Sequence, residues 1–364
     1  MGSNRETLDN LFRSGGIALE RGSIFDRVPE PLPDDFDFAR VEGMMLGLVI
    51  GEALGMTTER WLPEKRRTVH GEIRDYLPNR YGDTPIGLTS DDMQLAFSTL
   101  EQMLADDGFY PAKMASHYCR HHVFGRGFTV RQFIRNHQSG LPWYQCGPKS
   151  ARNGALVRIA PMVIPYLKSP TTDLWGDTAL SAMITHNEAG STSACLALVN
   201  TLWSLLGMNA PPEPQWWLES YVQTARDLEG DTKYRVRGGK FLGYEGPIWR
   251  FVEENLDRAY RADLSTLEAC NQWHSGVFLL ETVPSILYIL MRHAHEPEEA
   301  IVRAVNDTKD NDTIAAIVGA AVGALHGNGE IPSRWITNLP GPVAQKDQGK
   351  IFALLKTARQ RWWS

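Results

Sequence analysis

Two stretches of this chain are almost wholly apolar and carry glycine at every fourth position. Residues 41–56 contain Gly43, Gly47, Gly51 and Gly55, and residues 314–327 contain Gly319, Gly323 and Gly327. A spacing of four lines each set along one side of an α-helix. Each glycine costs roughly 1 kcal/mol against alanine in a helix interior, so close approach of a neighbouring helix is the expected compensation. Apolar residues at three- and four-residue spacing predict further helices over residues 95–104, 179–184 and 194–206. Another is expected over 277–293, with Pro284 as a kink or break. Convincing runs with the period of two that marks a strand are absent. The pattern predicts an all-α orthogonal bundle, with a Trp-rich tail (Trp335, Trp362, Trp363) packed on its outside.

The first 40 residues read differently. Residues 6–19 suit a short amphipathic helix, weakened by Gly15-Gly16, and a proline-rich, acidic and aromatic segment follows at 28–38. We therefore divide the chain into an N-terminal extension, 1–40, and one large domain, 41–364, with no Pro/Ser/Gly-rich linker inside it. The extension reads either as an arm strapped to its own domain or as a partner-binding arm. In the second case exposed Phe36 and Phe38 on a proline-stiffened backbone would enter a basic or substrate-binding cleft.

Charge and cysteine usage narrow the function. A net charge of −6 and a pI near 6.0 argue against broad nucleic-acid binding. The basic triplet Lys65-Arg66-Arg67 reads as a solvated loop. Cys119, Cys146, Cys195 and Cys270 are far apart with no CxxC, which suits reduced thiols in a cytoplasmic protein. The expectation is of no membrane segment and no signal peptide.

Candidate chemistry lies in two acidic clusters about 220 residues apart, Ser90-Asp91-Asp92 and Asp310-Asn311-Asp312-Thr313. Each opens a helical apolar run. One reading is helix capping, because Asp, Ser and Thr accept hydrogen bonds from free N–H groups and complement the helix dipole. A cap needs one acceptor, however, and adjacent like charges are unfavourable unless a cation offsets them. The other reading is an all-oxygen basket for hard divalent cations, Mg²⁺ or Mn²⁺, formed where the two helix starts meet.

The sequence around these clusters resembles the ADP-ribosylglycohydrolase family. Gly51-Glu52-Ala53-Leu54-Gly55 is similar to that family's Gly-Asp-Ala-x-Gly, and Ser90-Asp91-Asp92-Met93 to its Thr/Ser-Asp-Asp-Thr. Arg152-Asn153-Gly154 followed by Arg158 looks like Gly-Asn-Gly-x-x-x-Arg, and Asp310-Asn311-Asp312-Thr313-Ile314-Ala315 like the late Asp-Thr-Asp-Thr-Ile-Ala. Thr185-His186 falls where the family has such a pair. The motifs come in family order from about residue 41 to 327.

The resemblance implies an all-α hydrolase that removes ADP-ribose from proteins, from arginine in the first instance, with two divalent cations. Ser90, Asp91 and Asp92 would serve one ion and Asp310 and Thr313 the other, with Asp312 bridging and Glu59 as a further ligand or acid/base. Asp91, Asp312 and Glu59 are thus the catalytic candidates, and Asn153, Gly154 and His186 the substrate-binding ones. Glu52 for Asp, Met93 for a hydroxyl residue, Arg152 for Gly and Thr308-Lys309 for Gly-Gly depart from the family pattern. The extension suggests a second partner, an ADP-ribosyltransferase toxin that an immunity protein would block. A non-catalytic binding protein and a hydrolase of small ADP-ribose derivatives are the alternatives.

Overall fold

The computed structural model describes residues 3–78, 83–120, 123, 125–340 and 349–363. Helix α1 (Asn4–Ser14) starts at a Ser3–Glu6 capping box and stops where Gly15 turns left-handed, at φ 65°. There follow α2 (Ala39–Met56), α3 (Pro63–His70), α4 (Asp91–Asp106), α5 (Pro111–Arg120), α6 (Phe128–Gln138) and α7 (Trp143–Cys146). The middle of the chain forms α8 (Asp173–Thr185), α9 (Ala189–Leu206) and α10 (Pro214–Glu229). A short hairpin pairs Tyr234–Arg235 with Glu245–Gly246. Then come α11 (Ile248–Arg261), α12 (Thr266–Gln272), α13 (Leu279–His293), α14 (Pro297–Asp307), α15 (Asn311–His326), α16 (Ser333–Thr337) and α17 (Lys350–Trp362). The fold is all-α, as expected.

At its centre α2 and α15 run antiparallel with their glycine stripes in contact. Gly43 faces the backbone of Gly323, Gly47 that of Gly319, Gly51 that of Ala315, and Gly55 that of Asp312. A Cβ at Gly47 would lie well inside the contact distance of the Gly319 carbonyl, and one at Gly55 would sit 2.6 Å from the Asp312 amide nitrogen. Only helices without Cβ atoms on these sides can pack backbone to backbone. The stripes thus bring the last turn of α2 to the first turn of α15.

The extension is strapped to its own domain, the first of its two readings: Phe36 and Phe38 are 8% and 0% exposed. The Trp175 and Trp203 indoles donate to the Arg27 and Glu30 carbonyls at 2.7 and 2.8 Å. Asn4 donates to Asp177 on α8, and Asn187 and Leu228 hold residues 16–20. The residues read as a solvated loop form α3, and Arg66 is fully buried. Trp335 lies in the core rather than outside it, donating to the Arg74 carbonyl. Helix α13 runs through Pro284 unbroken and begins at Leu279 rather than 277, because Phe278 is bridged to Arg152. Helix α9 is long and apolar enough to cross a membrane by length and composition, yet most of it is buried in the bundle. The four cysteines are free thiols.

Candidate active site

Glu52, on the last turns of α2, is the hinge of the site. It is 1% exposed and accepts two hydrogen bonds from Ser90, from the hydroxyl at 2.5 Å and from the backbone N–H at 3.1 Å. These bonds fix the start of α4 against α2. Ser90 also caps α4, accepting from the Asp92 N–H at 3.3 Å. Capping is therefore a real part of its role, while the Asp91 and Asp92 carboxylates are left over. Asp91 turns outward to accept the Gly127 N–H at 3.0 Å.

The second cluster is held from three sides. Asp310 occupies the N-cap position of α15 without capping it. Its carboxylate instead takes the Asn153 amide at 2.6 Å and a hydrogen bond from Thr313. Asn153 is anchored in turn, also donating to Thr282. Asn153, a substrate-binding candidate, thus also positions Asp310 through its amide. Asn311 donates to the Gly55 carbonyl and to Thr58, tying the two helix ends together. Arg66 donates to Thr58, to the Trp61 carbonyl, and to the Asn306 and Thr308 carbonyls behind the cluster.

The two clusters share one electrostatic environment. Burial holds the Asp92 carboxyl well above its ordinary range, and Asp91, Glu52, Asp312 and Asp310 push it further. Burial raises Asp312 likewise, reinforced by Asp310, Glu59 and Glu52. Burial pushes Glu52 up to about 7 and Asp310 to about 6, although hydrogen bonds from Ser90 and Asn153 oppose the rise. Asp91 is raised by burial and by Glu59. Glu59 stands half exposed, tethered to Arg60 at 3.0 Å, within reach of both clusters. Two helix N-termini, those of α4 and α15, point their partial positive charge at these acids.

The donor set fits hard cations: five carboxylates and two hydroxyls, all oxygen, with net negative charge to be offset. Asp312 Oδ1 is buried and has no hydrogen-bond donor. As they lie, no three Asp, Glu, His or Cys side chains among the described residues converge closely enough to enclose one ion. His186 lies beside Gly154. It is 1% exposed, and a Cβ on Gly154 would come within 3.2 Å of its ring. Burial, then Arg158 and Arg152, hold it down to about 3, so the ring is neutral.

In the sequence Glu52 stands out as a departure from a motif, and a carboxylate on an otherwise apolar helix needs partners. Gly127 gave no such signal, since its backbone N–H does the work.

A pH dependence follows. Folded-state values of Glu52 and Asp310 lie above their unfolded ones near 4. The native state therefore binds extra protons between about pH 4 and 7, and the stability this lends is lost as pH rises through 6–7. Asp177 and Glu229, each pushed to about 7 mainly by burial, act in the same direction, outnumbering His186 and His293, which burial holds down to about 3 and 4 and which act oppositely. In scanning calorimetry the metal-free protein should melt higher at pH 5.5 than at pH 7.5; a lower melting point at pH 5.5 would contradict the raised carboxyls.

The same arrangement has relatives. A sequence profile described as ADP-ribosylglycohydrolase matches residues 33–362. The ADP-ribosylhydrolase ARH3 of Homo sapiens is 25% identical over 334 residues, which cover 83% of this chain and 90% of that protein. The ADP-ribosylarginine hydrolase Tri1 of Pseudomonas putida is 24% identical over 313 residues, covering 82% of this chain and 73% of that one. A solved structure described as an ADP-ribosylglycohydrolase-related protein complex shares the fold, with a TM-score of 0.62 at 24% identity, over 89% of this chain and 98% of that one. With the profile spanning nearly its whole length, this chain belongs to the ADP-ribosylglycohydrolase family.

Proposed function

We propose that this protein is a metal-dependent hydrolase that removes ADP-ribose from modified proteins by cleaving an N-glycosidic bond to arginine. The observation that carries the reading is the meeting of two acidic clusters, Asp91/Asp92 and Asp310/Asp312, whose charges press on one another in a buried site. The names of the relatives ARH3 and Tri1 support ADP-ribose as the group released. Two Mg²⁺ or Mn²⁺ ions would be held by Ser90, Asp91 and Asp92 on one side and Asp310 and Thr313 on the other, with Asp312 shared. Such ions supply a hold on ribose hydroxyls and a bound water of lowered pKa.

The remaining roles belong to the chain's own groups. Glu59 at the mouth is placed to take a proton from water as the glycosidic bond breaks. Asn153 and Thr313 keep Asp310 oriented. Arg66 fixes the loop behind it, so that carboxylates which repel one another keep their places. Four free cysteines suit a cytoplasmic enzyme.

The packing of residues 1–40 opposes their use to block an ADP-ribosyltransferase toxin. Phe36 and Phe38, the side chains that would enter a cleft, are buried in this chain's own core. Protection against such a toxin would rest on erasing its modification. The test is release of free ADP-ribose from two Mg²⁺-supplemented substrates, one modified on arginine and one on serine. Release from the arginine substrate is expected. Release from the serine substrate alone would reassign the acceptor, and release from neither would reject the activity.

A further inference from the structure

We propose that the cavity between residues 23–33 and α10 is a docking site for an extended peptide segment that carries lysine or arginine. Its volume is about 750 Å³, in the range that takes a drug-sized molecule or a few residues of chain. None of the residues of the acidic centre lines it, and residues 23–32 precede the span matched by the family profile. One wall already holds an extended chain. The Ser23 amide and hydroxyl donate to Asp227 on α10 at 2.6 and 2.9 Å, and Arg27 donates to Asn200 on α9 at 2.6 Å. The Trp175 and Trp203 indoles donate to the Arg27 and Glu30 carbonyls. Arg27 and Glu30 are three residues apart, the repeat of a polyproline II chain, and Pro29, Pro31 and Pro33 restrict φ to what that conformation needs. Aromatic-lined grooves read proline-rich peptides in this way. Trp175 and Trp203 also line the cavity, together with Trp216 and Met208, so the cavity is continuous with that seat.

The groups left over in the cavity select the occupant. Its charged lining is three acids, Glu30, Glu219 and Asp227, against one base, Arg27. Arg27 is engaged by Asn200 and lies over the Trp175 ring, and Asp227 is engaged by Ser23. The Glu30 and Glu219 carboxylates have neither a hydrogen bond nor an ion pair among the described residues. Trp216, half-buried, lies three residues before Glu219 and so on the same side of α10. An ammonium or guanidinium group on an apolar stem suits both: its charge meets the carboxylates and its stem covers the indole. Peptide groups suit the remaining donors. The exposed Gln223 amide, one turn beyond Glu219, has no partner among the described residues, and neither do the Val28, Glu30 and Leu32 N–H groups. A peptide offers carbonyl acceptors to these groups, whereas a protonated polyamine has no acceptor to offer.

The test is fluorescence anisotropy with the full-length protein and two labelled peptides, Pro-Lys-Pro-Arg-Pro and Pro-Glu-Pro-Glu-Pro, whose prolines keep them extended. Unlabelled basic peptide and spermidine serve as competitors. We expect the basic peptide to bind and to weaken as salt is raised. Combining Glu30→Gln with Glu219→Gln should lower its affinity about tenfold or more. Both side chains are on the surface, so the double variant should keep the wild-type melting temperature. No binding of the basic peptide, equally tight binding of the acidic one, or an unchanged affinity in the double variant would overturn the proposal. Displacement by spermidine as effective as that by the unlabelled basic peptide would overturn it in favour of a small organic cation. None of these readouts depends on release of ADP-ribose, so the proposed activity stands or falls separately.

Discussion

Gly47→Val is expected to yield little soluble, folded protein, whereas Gly329→Ala should fold like the wild type. Gly47 lies against the Gly319 backbone, so a side chain there has no flexible neighbour to push aside. The two helices must separate, and the loss extends along the whole stripe from Gly43 to Gly55. Overpacking a core ordinarily costs about 1–3 kcal/mol; here two helices that are buried along most of their length must move apart, so the cost is expected at the top of that range or above. Gly329 meets nothing within 4 Å, which makes it the control. Should Gly47→Val have the same urea midpoint as the wild type, the stripe does not hold the bundle together. The milder Gly47→Ala is expected to fold with a lower midpoint.

Asp312→Asn separates stability from activity. It is expected to lower the rate of ADP-ribose release by about a thousandfold or more, since the shared ligand of the proposed ions is lost. The same substitution should raise the melting temperature of the metal-free protein at pH 7.5. Asp312 is buried among Asp310, Glu59 and Glu52, and Oδ1 has no donor. Removing its charge relieves repulsion that the native state bears without a cation. A loss of activity accompanied by a comparable loss of metal-free stability would instead mark Asp312 as a structural residue.

Much of this was legible because it is local. A glycine every fourth residue defines a helix side without reference to anything else, and both stripes, Gly43–Gly55 and Gly319–Gly327, could be read directly. Their mutual contact could only be suspected. The acidic clusters were equally plain, and capping by Ser90 and a separate fate for Asp91 and Asp92 are both present in the fold. What escaped depends on partners remote in sequence. Arg66 looked like one member of a solvated triplet because its acceptors are carbonyls at Asn306 and Thr308. The hold of Asn153 on Asp310 escaped because the two lie 157 residues apart. Phe36 and Phe38 looked exposed because proline-rich acidic segments usually are, yet α8–α10 offer that segment two indole donors and a surface to cover.

Whether clusters far apart in sequence make one cation centre is tested most directly by calorimetric titration of Mn²⁺ into the metal-free wild type, Asp92→Asn and Asp312→Asn. We predict that the wild type takes up two ions and that either substitution weakens both, because Asp92 and Asp312 press on the same centre. A wild type that takes up no ion, or variants that each lose one ion and bind the other with unchanged affinity, would contradict it.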